Sequence, residues 1–373
     1  MVEKKMIQLQ KPNIGNDELE LVKQVIESGY LVEGPMVREF ESFCEDFLNV
    51  KHAISCTSWT SGAELVFRAI GLKKNDEVIC PDFSHPATAL AVITAGGTPV
   101  FVDVDLESRN STIENILPAL SSNTRVIQPV SIFGNPVDID PINDVAKDKD
   151  LLVVDDAACT LGSYYKDKPV GGLTDFTIFS FHPRKVFTCG DGGLIATNND
   201  SLAKAIRSMK VFGAEEGKFS NWGTNQRMSN VHGALLLGQV RRINEIVSSR
   251  RKRAKIYDSL LENVGGMQKP EIASCSKSNY QTYAVLLDFY DYKNKDMRKI
   301  VMEKMREKNI QTQIGTYSIS GTPFLKKYKI VGNLANSKRL ESCLLSLPLH
   351  HDLTREDQER VVMELDSIIK TIK

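Results

Sequence analysis

Three short segments hold side chains that could do chemistry. The first is Val153-Val154-Asp155-Asp156-Ala157-Ala158, an apolar run that ends in two carboxylates. Such a pair serves as a helix cap or turn, and equally as a seat for a bound cation. A protonated pyridine nitrogen is a cation of that kind, because it remains an electron sink only beside an anion. Unit charges ~4 Å apart at an effective dielectric of ~20 attract by roughly 4 kcal/mol, about three pKa units. A neutral Asn could not supply this.

The second segment runs from Phe176 through Phe179-Ser180-Phe181-His182-Pro183-Arg184 to Lys185. A lone lysine is ordinarily a solvated surface group. A buried one loses its charge readily, as imine formation with a carbonyl requires. Arg184 beside it favours the neutral amine by repulsion. Gly190-Asp191-Gly192-Gly193 follows and permits a tight turn with close backbone approach. The third segment is Ser55-Cys56-Thr57-Ser58-Trp59-Thr60-Ser61-Gly62, which leaves a strand and opens a helix. A helix start offers free N–H groups and a positive dipole end to a phosphate. The same hydroxyls can simply cap the helix. No Walker lysine and no Gly-x-Gly-x-x-Gly pattern occurs, so nucleotide binding of those kinds is not indicated.

The elements that must position these segments are legible as alternation. Strands are expected over residues 53–55, 77–80, 99–105, 125–133, 151–155, 176–181 and 193–197, with helices over 61–71, 87–95 and 113–120 among them. This pattern predicts an α/β domain with a largely parallel sheet, its strands apolar on both faces. The three segments fall at strand ends, where open α/β sheets bind ligands. Beyond residue 230 the pattern changes. One long helical region is expected over 231–261, then a strand (283–288), a helix (296–308), a strand (311–314) and a last helix (355–372), with 271–279 as a loop. That reads as a smaller α+β domain, and 373 residues suit two domains: 1–245 and 246–373, with the N-terminal segment allowed to pack on the small one.

Composition excludes several classes. Lys plus Arg equals Asp plus Glu at 47 each, so charge gives no argument for nucleic acid or a membrane surface. The basic stretch 241–255 reads as a solvated helix face. Seven cysteines at irregular spacing, with no CxxC pair, indicate neither a zinc site nor a disulfide scaffold, but free thiols in the cytoplasm. Met1–Lys5 is charged with no apolar segment behind it, so no signal peptide is expected.

The ordered combination resembles the DegT/DnrJ/EryC1/StrS family of sugar aminotransferases, enzymes of pyridoxal 5′-phosphate (PLP) fold type I. The motifs are the hydroxyl-rich helix start, Asp-Ala-Ala after a strand, Ser-Phe-x-x-x-Lys and Gly-Asp-Gly-Gly. Ser28-Gly29-Tyr30, Gly134-Asn135-Pro136-Val137-Asp138 and Asn225-Gln226-Arg227-Met228-Ser229 extend the resemblance along nearly the whole chain. It implies a PLP imine on Lys185, which also shuttles the proton, and Asp156 beside the pyridinium. It implies Thr60, Ser61 and Ser180 on the cofactor phosphate, with Asn225 reaching that phosphate from a neighbouring subunit of a homodimer. His85 stands where the family has an aromatic ring stacked on PLP. Cys159 stands beside the ring hydroxyl, where many members have Gln or His. Trp59 replaces a common Gly, and Ile314-Gly315-Thr316-Tyr317 lacks a frequent His-Tyr pair. The implied reaction moves an amino group from an amino acid, glutamate foremost, to a keto group of a nucleotide-linked keto-deoxy sugar in two ping-pong half-reactions. Two other readings stand beside it: a PLP-dependent sugar dehydratase, whose members carry His where Lys185 stands, and a non-catalytic regulator retaining the fold.

Overall fold

The computed structural model describes residues 5–288 and 296–372, so most of the charged Met1–Lys5 segment lies outside the described residues. An eight-stranded sheet organises the chain. Its spatial order is His52–Cys56, Gly193–Thr197, Phe176–Ser180, Leu152–Asp156, Thr124–Ile127, Glu77–Pro81, Thr98–Val102 and Lys329–Ile330. The run from Phe176–Ser180 to Lys329–Ile330 is parallel. Gly193–Thr197 and His52–Cys56 add antiparallel at one side. Residues alternate between the two faces along each strand. Ile54, Ile195, Ile178 and Val154 join one apolar core with the Trp59–Ala69 helix. Ala53, Ala196, Leu194 and Phe179 face another, under the Pro35–Leu48 and Asn230–Val240 helices. The expected α/β class is therefore correct.

Several boundaries differ from expectation for identifiable reasons. The strand expected over 125–133 ends at Ile127, and a 3-10 turn occupies Ile132–Gly134. Pro129 lacks the N–H that the ladder would need. The strand expected to reach Asp105 stops at Val102. Asp103 instead accepts hydrogen bonds from the Asn336 and Ser337 amides, and Asp105 from those of Glu107 and Ser108. The helix at Ile113–Ile116 continues only as a 3-10 turn over Leu117–Ala119, which contains Pro118. The long helix expected over 231–261 is two helices, Asn230–Val240 and Ile243–Leu260. At the break, Arg242 turns onto the fully buried Glu18, 2.6 Å away. Within the loop at 271–279, Ser276–Lys277 pairs antiparallel with Tyr164–Tyr165.

A second, four-stranded sheet runs Met267–Gln268, Tyr283–Leu287, Leu344–Leu347 and Gln313–Ile314. Its core gathers Tyr257, Tyr283, Val285, Val301, Leu345 and Leu365. The Ile243–Leu260 helix feeds both this core, through Ala254 and Tyr257, and the large one, through Ile246 and Val247. Ile7 bridges Ile310 in parallel, so the N-terminal segment lies on this second unit.

The basic stretch 241–255 is a solvated face only in part: Arg241, Lys252 and Lys255 are exposed, while three arginines turn inward. Arg250 is buried and donates to the carbonyls of Tyr280, Gln281 and Leu349 at 2.7–3.1 Å. Arg251 donates to Ser278 O and Arg253 to Leu353 O. Burial pushes the Arg250 guanidinium down to about 9, with Arg253 nearby adding repulsion. These arginines fasten the helix to the second unit. Replacing Arg250 with Leu strands its carbonyl partners and should lower the unfolding free energy by about 2–3 kcal/mol in urea titrations. Lys252→Ala, on the exposed side of the same helix, should change it by less than about 0.5 kcal/mol. Equal effects would restore the solvated-face reading.

Candidate active site

A cavity of about 340 Å³ opens at the carboxyl ends of the parallel strands. Asp156 closes the Leu152–Asp156 strand and is almost fully buried. Its Oδ2 accepts from the Thr88 hydroxyl at 3.1 Å, and its Oδ1 from the Ala158 amide at 3.2 Å. Thr88 is in turn hydrogen-bonded to the Ser84 hydroxyl at 2.7 Å. Burial pushes the Asp156 carboxyl up to about 6; the Ala158 amide, the Lys185 charge and the Thr88 hydroxyl act against that rise. Asp155 is also buried and is pushed higher, first by desolvation and then by the charge of Asp156, with Ser131 opposing. Among the cavity-lining residues, Asp156 is the buried anion.

Lys185 lies in the turn after the Phe176–Ser180 strand, held by a bond from its amide to His182 O. Its Nζ donates to Cys159 Sγ at 3.1 Å, inside the same cavity. The turn is pinned from the second unit, because Gln281 Nε2 donates to Arg184 O at 2.8 Å. Ser180 also lines the cavity.

The Trp59–Ala69 helix begins at the cavity wall, with Ser58, Trp59 and Thr60 lining it. The first amides of a helix have no partner within it. Gly193 brings the neighbouring strand hard against this start: a Cβ there would lie 2.5 Å from the Ser58 carbonyl group. Ser61, expected on the phosphate, serves the helix start itself. Its hydroxyl accepts from Ser58 N and donates to Ser58 O, so it caps the helix and does not line the cavity. His85 lines the cavity and caps as well, its Nδ1 accepting from the Ala87 amide at 3.2 Å. Burial and the charges of Lys185, Arg184 and His182 hold its imidazole below the usual range. Asn225 is exposed, accepts from Arg227 Nε and is not part of this cavity wall.

Six of the eight expected site residues therefore meet in one cavity: Thr60, His85, Asp156, Cys159, Ser180 and Lys185. Sequence reasoning missed Thr88 and Gln281. Thr88 sits three residues beyond His85, and nothing in its neighbourhood marks it as the partner of Asp156. The cavity is closed on its far side by Ile314, Gly315, Thr316 and Tyr317. That segment is tied to the first unit. Thr316 Oγ1 donates to Ser84 O at 2.9 Å, Tyr317–Ser318 pairs antiparallel with Phe83–Ser84, and the buried Asp82 accepts from the Ser318 hydroxyl and the Ser320 amide.

A buried carboxylate and a lysine amine thus meet in one cavity on a mixed α/β sheet, and the family match makes the protein an enzyme of the aminotransferase class. The chain belongs to the DegT/DnrJ/EryC1/StrS aminotransferase family, whose model matches residues 12–366. It is 31% identical over 373 residues to the GDP-perosamine synthase of Caulobacter vibrioides, covering 97% of this chain and 98% of that one. The aminotransferase TlmJ from Streptoalloteichus hindustanus superposes with a TM-score of 0.91 at 27% identity, over 98% of this chain and 99% of that one. DesI, solved in the presence of its TDP-sugar product, gives 0.89 at 27% identity, over 98% and 94%.

The two carboxyls predict a pH response of the cofactor-free protein. Both titrate above their ordinary value in the folded state, so that state holds more protons than the unfolded chain between about pH 4 and about pH 7. Stability then falls as pH rises through that window. In Asp155→Asn, the loss of unfolding free energy between about pH 5 and about pH 8 should shrink by at least about 1.4 kcal/mol, the worth of one pKa unit. An unchanged loss would mean that burial does not strain this pair.

Proposed function

We propose that this enzyme uses PLP to move an amino group from an amino acid, L-glutamate foremost, to the keto carbon of a nucleotide-linked keto-deoxy sugar. The observation that carries the reading is the placement of Lys185 Nζ and the Asp156 carboxylate in one cavity beside the start of the Trp59–Ala69 helix. The donor set fits the group. Asp156 is a buried anion raised in pKa by desolvation, as expected of a carboxylate that awaits a cation. The helix start offers dipole and amides to a phosphate.

When bound, PLP supplies the electron sink for breaking the C–H bond next to nitrogen. Lys185 would hold it covalently and, once released, carry the proton at Nζ. Asp156, oriented by Thr88 and Ala158, would hold the positive charge of the ring nitrogen. Thr60, Ser180 and the first-turn amides would hold the phosphate, with Ser61 shaping their turn rather than touching the ligand. His85 would cover the ring, and Cys159 would face its hydroxyl. Asn225 would complete the site of a second copy, which makes the enzyme a homodimer. Exposed Phe212, Phe219 and Trp222 near Asn225 support such a partner, with Phe219 77% exposed. The names of the GDP-perosamine synthase and of the TDP-sugar complex favour a nucleotide sugar as acceptor. We divide the chain into units at 1–245 and 246–373, joined by the Ile243–Leu260 helix. The seven free cysteines favour a reducing compartment, the cytoplasm; among the described residues no helix is long and apolar enough to cross a membrane.

The test is Lys185→Ala. The wild type should show a visible absorbance band with PLP, and glutamate should discharge it and yield 2-oxoglutarate before any sugar is added, as ping-pong chemistry requires. The variant should fold normally, lack the band and lose transamination by about 1000-fold or more. A variant that still transaminates, or a wild type that reacts with no common amino acid, would refute the proposal.

A further inference from the structure

We propose that Arg184 is the residue that recognises the α-carboxylate of the amino donor. This rests on the transaminase reading above. Two lining residues of the cavity carry a full positive charge, Arg184 and Lys185. On that reading Lys185 is committed to the covalent chemistry, so Arg184 is the cation left for substrate.

The backbone of Arg184 is held from both sides. Its amide donates to His182 Nδ1 at 3.3 Å, and its carbonyl accepts from Gln281 Nε2 at 2.8 Å. Gln281 is itself positioned, its carbonyl accepting from Arg250 and from Gln10. The guanidinium is treated differently. Among the described residues it makes no ion pair and no hydrogen bond to a protein acceptor, although it is exposed at the cavity wall. Its charge is felt there, since it helps to depress both His85 and His182. Arg207, Arg242, Arg250, Arg251 and Arg253 donate to carbonyls or carboxylates, and among the arginines Arg184 is the one that lines this cavity. A guanidinium is a planar fork of donors that matches a carboxylate in two parallel hydrogen bonds.

Distance along the substrates selects the ligand. In an amino donor the α-carboxylate is bonded to the very carbon that carries the reacting nitrogen. It must therefore sit close to Lys185, and Arg184 is the adjacent residue of the same turn. In a nucleotide sugar the diphosphate is separated from the keto carbon by the sugar ring. It reaches the outer rim of the cavity rather than the lysine turn.

Glutarate tests carboxylate recognition without chemistry, because it has no amino group to react. Its affinity for the PLP-loaded enzyme is read by calorimetry in the wild type, Arg184→Gln and Arg184→Lys, beside that of uridine diphosphate and guanosine diphosphate. Arg184→Gln should weaken glutarate by roughly 10-fold or more, the size of a charge-assisted pair, and raise the KM for glutamate with little change in the sugar half-reaction. Arg184→Lys should recover part of the glutarate affinity. The visible cofactor band should stay as in the wild type in both variants, which separates this result from a failure of the transaminase reading itself. Unchanged glutarate affinity in Arg184→Gln would overturn the assignment. So would a loss confined to the nucleotide diphosphates.

Discussion

The site depends on keeping one carboxylate charged where water is nearly excluded. Asp156 ends a strand whose preceding residues are buried on both faces, so its side chain has little solvent to draw on. An isolated carboxylate in such a place neutralises unless neighbours hold the charge. Here the Ala158 amide, the Thr88 hydroxyl and the nearby Lys185 do so in part. The residual upward shift is what a cationic ligand would remove.

From that carboxylate a line of polar contacts crosses the cavity. Thr88 joins Ser84, and the Ser84 carbonyl accepts from Thr316 in the segment that closes the far wall. Asp82 holds the same segment through Ser318 and Ser320. The 314–317 wall and the Asp156 carboxylate are thus parts of one network. Arg250 performs the matching task on the lysine side. It holds the Tyr280 and Gln281 carbonyls, and Gln281 holds the lysine turn. The 314–317 wall, the lysine turn and the anion are fixed relative to one another by side chains rather than by the sheet alone.

Much of this was legible in the sequence, and the reason is topological. Lys185, Asp156 and Ser180 lie at or just after strand ends, and the strands announce themselves by apolar runs between turns. What stayed hidden required knowledge of direction. Ser61 and Thr60 are adjacent hydroxyls at one helix start; geometry alone sends one into the cavity and the other back onto Ser58. Arg250 belongs to a basic stretch that has the look of a solvated face, and only the packing of the second unit turns it inward. Thr88 carries no local signal, because its partner lies 68 residues away. The resemblance supplied roles that spacing could not, that of Asn225 among them.

The most direct measurement follows the pyridine nitrogen itself. With PLP labelled with nitrogen-15 at the ring and bound to the enzyme, the ring nitrogen should resonate as protonated at neutral pH in the wild type. In Asp156→Asn it should resonate as unprotonated, with the protein still folded. A ring nitrogen whose protonation does not change when Asp156 is replaced would contradict the account.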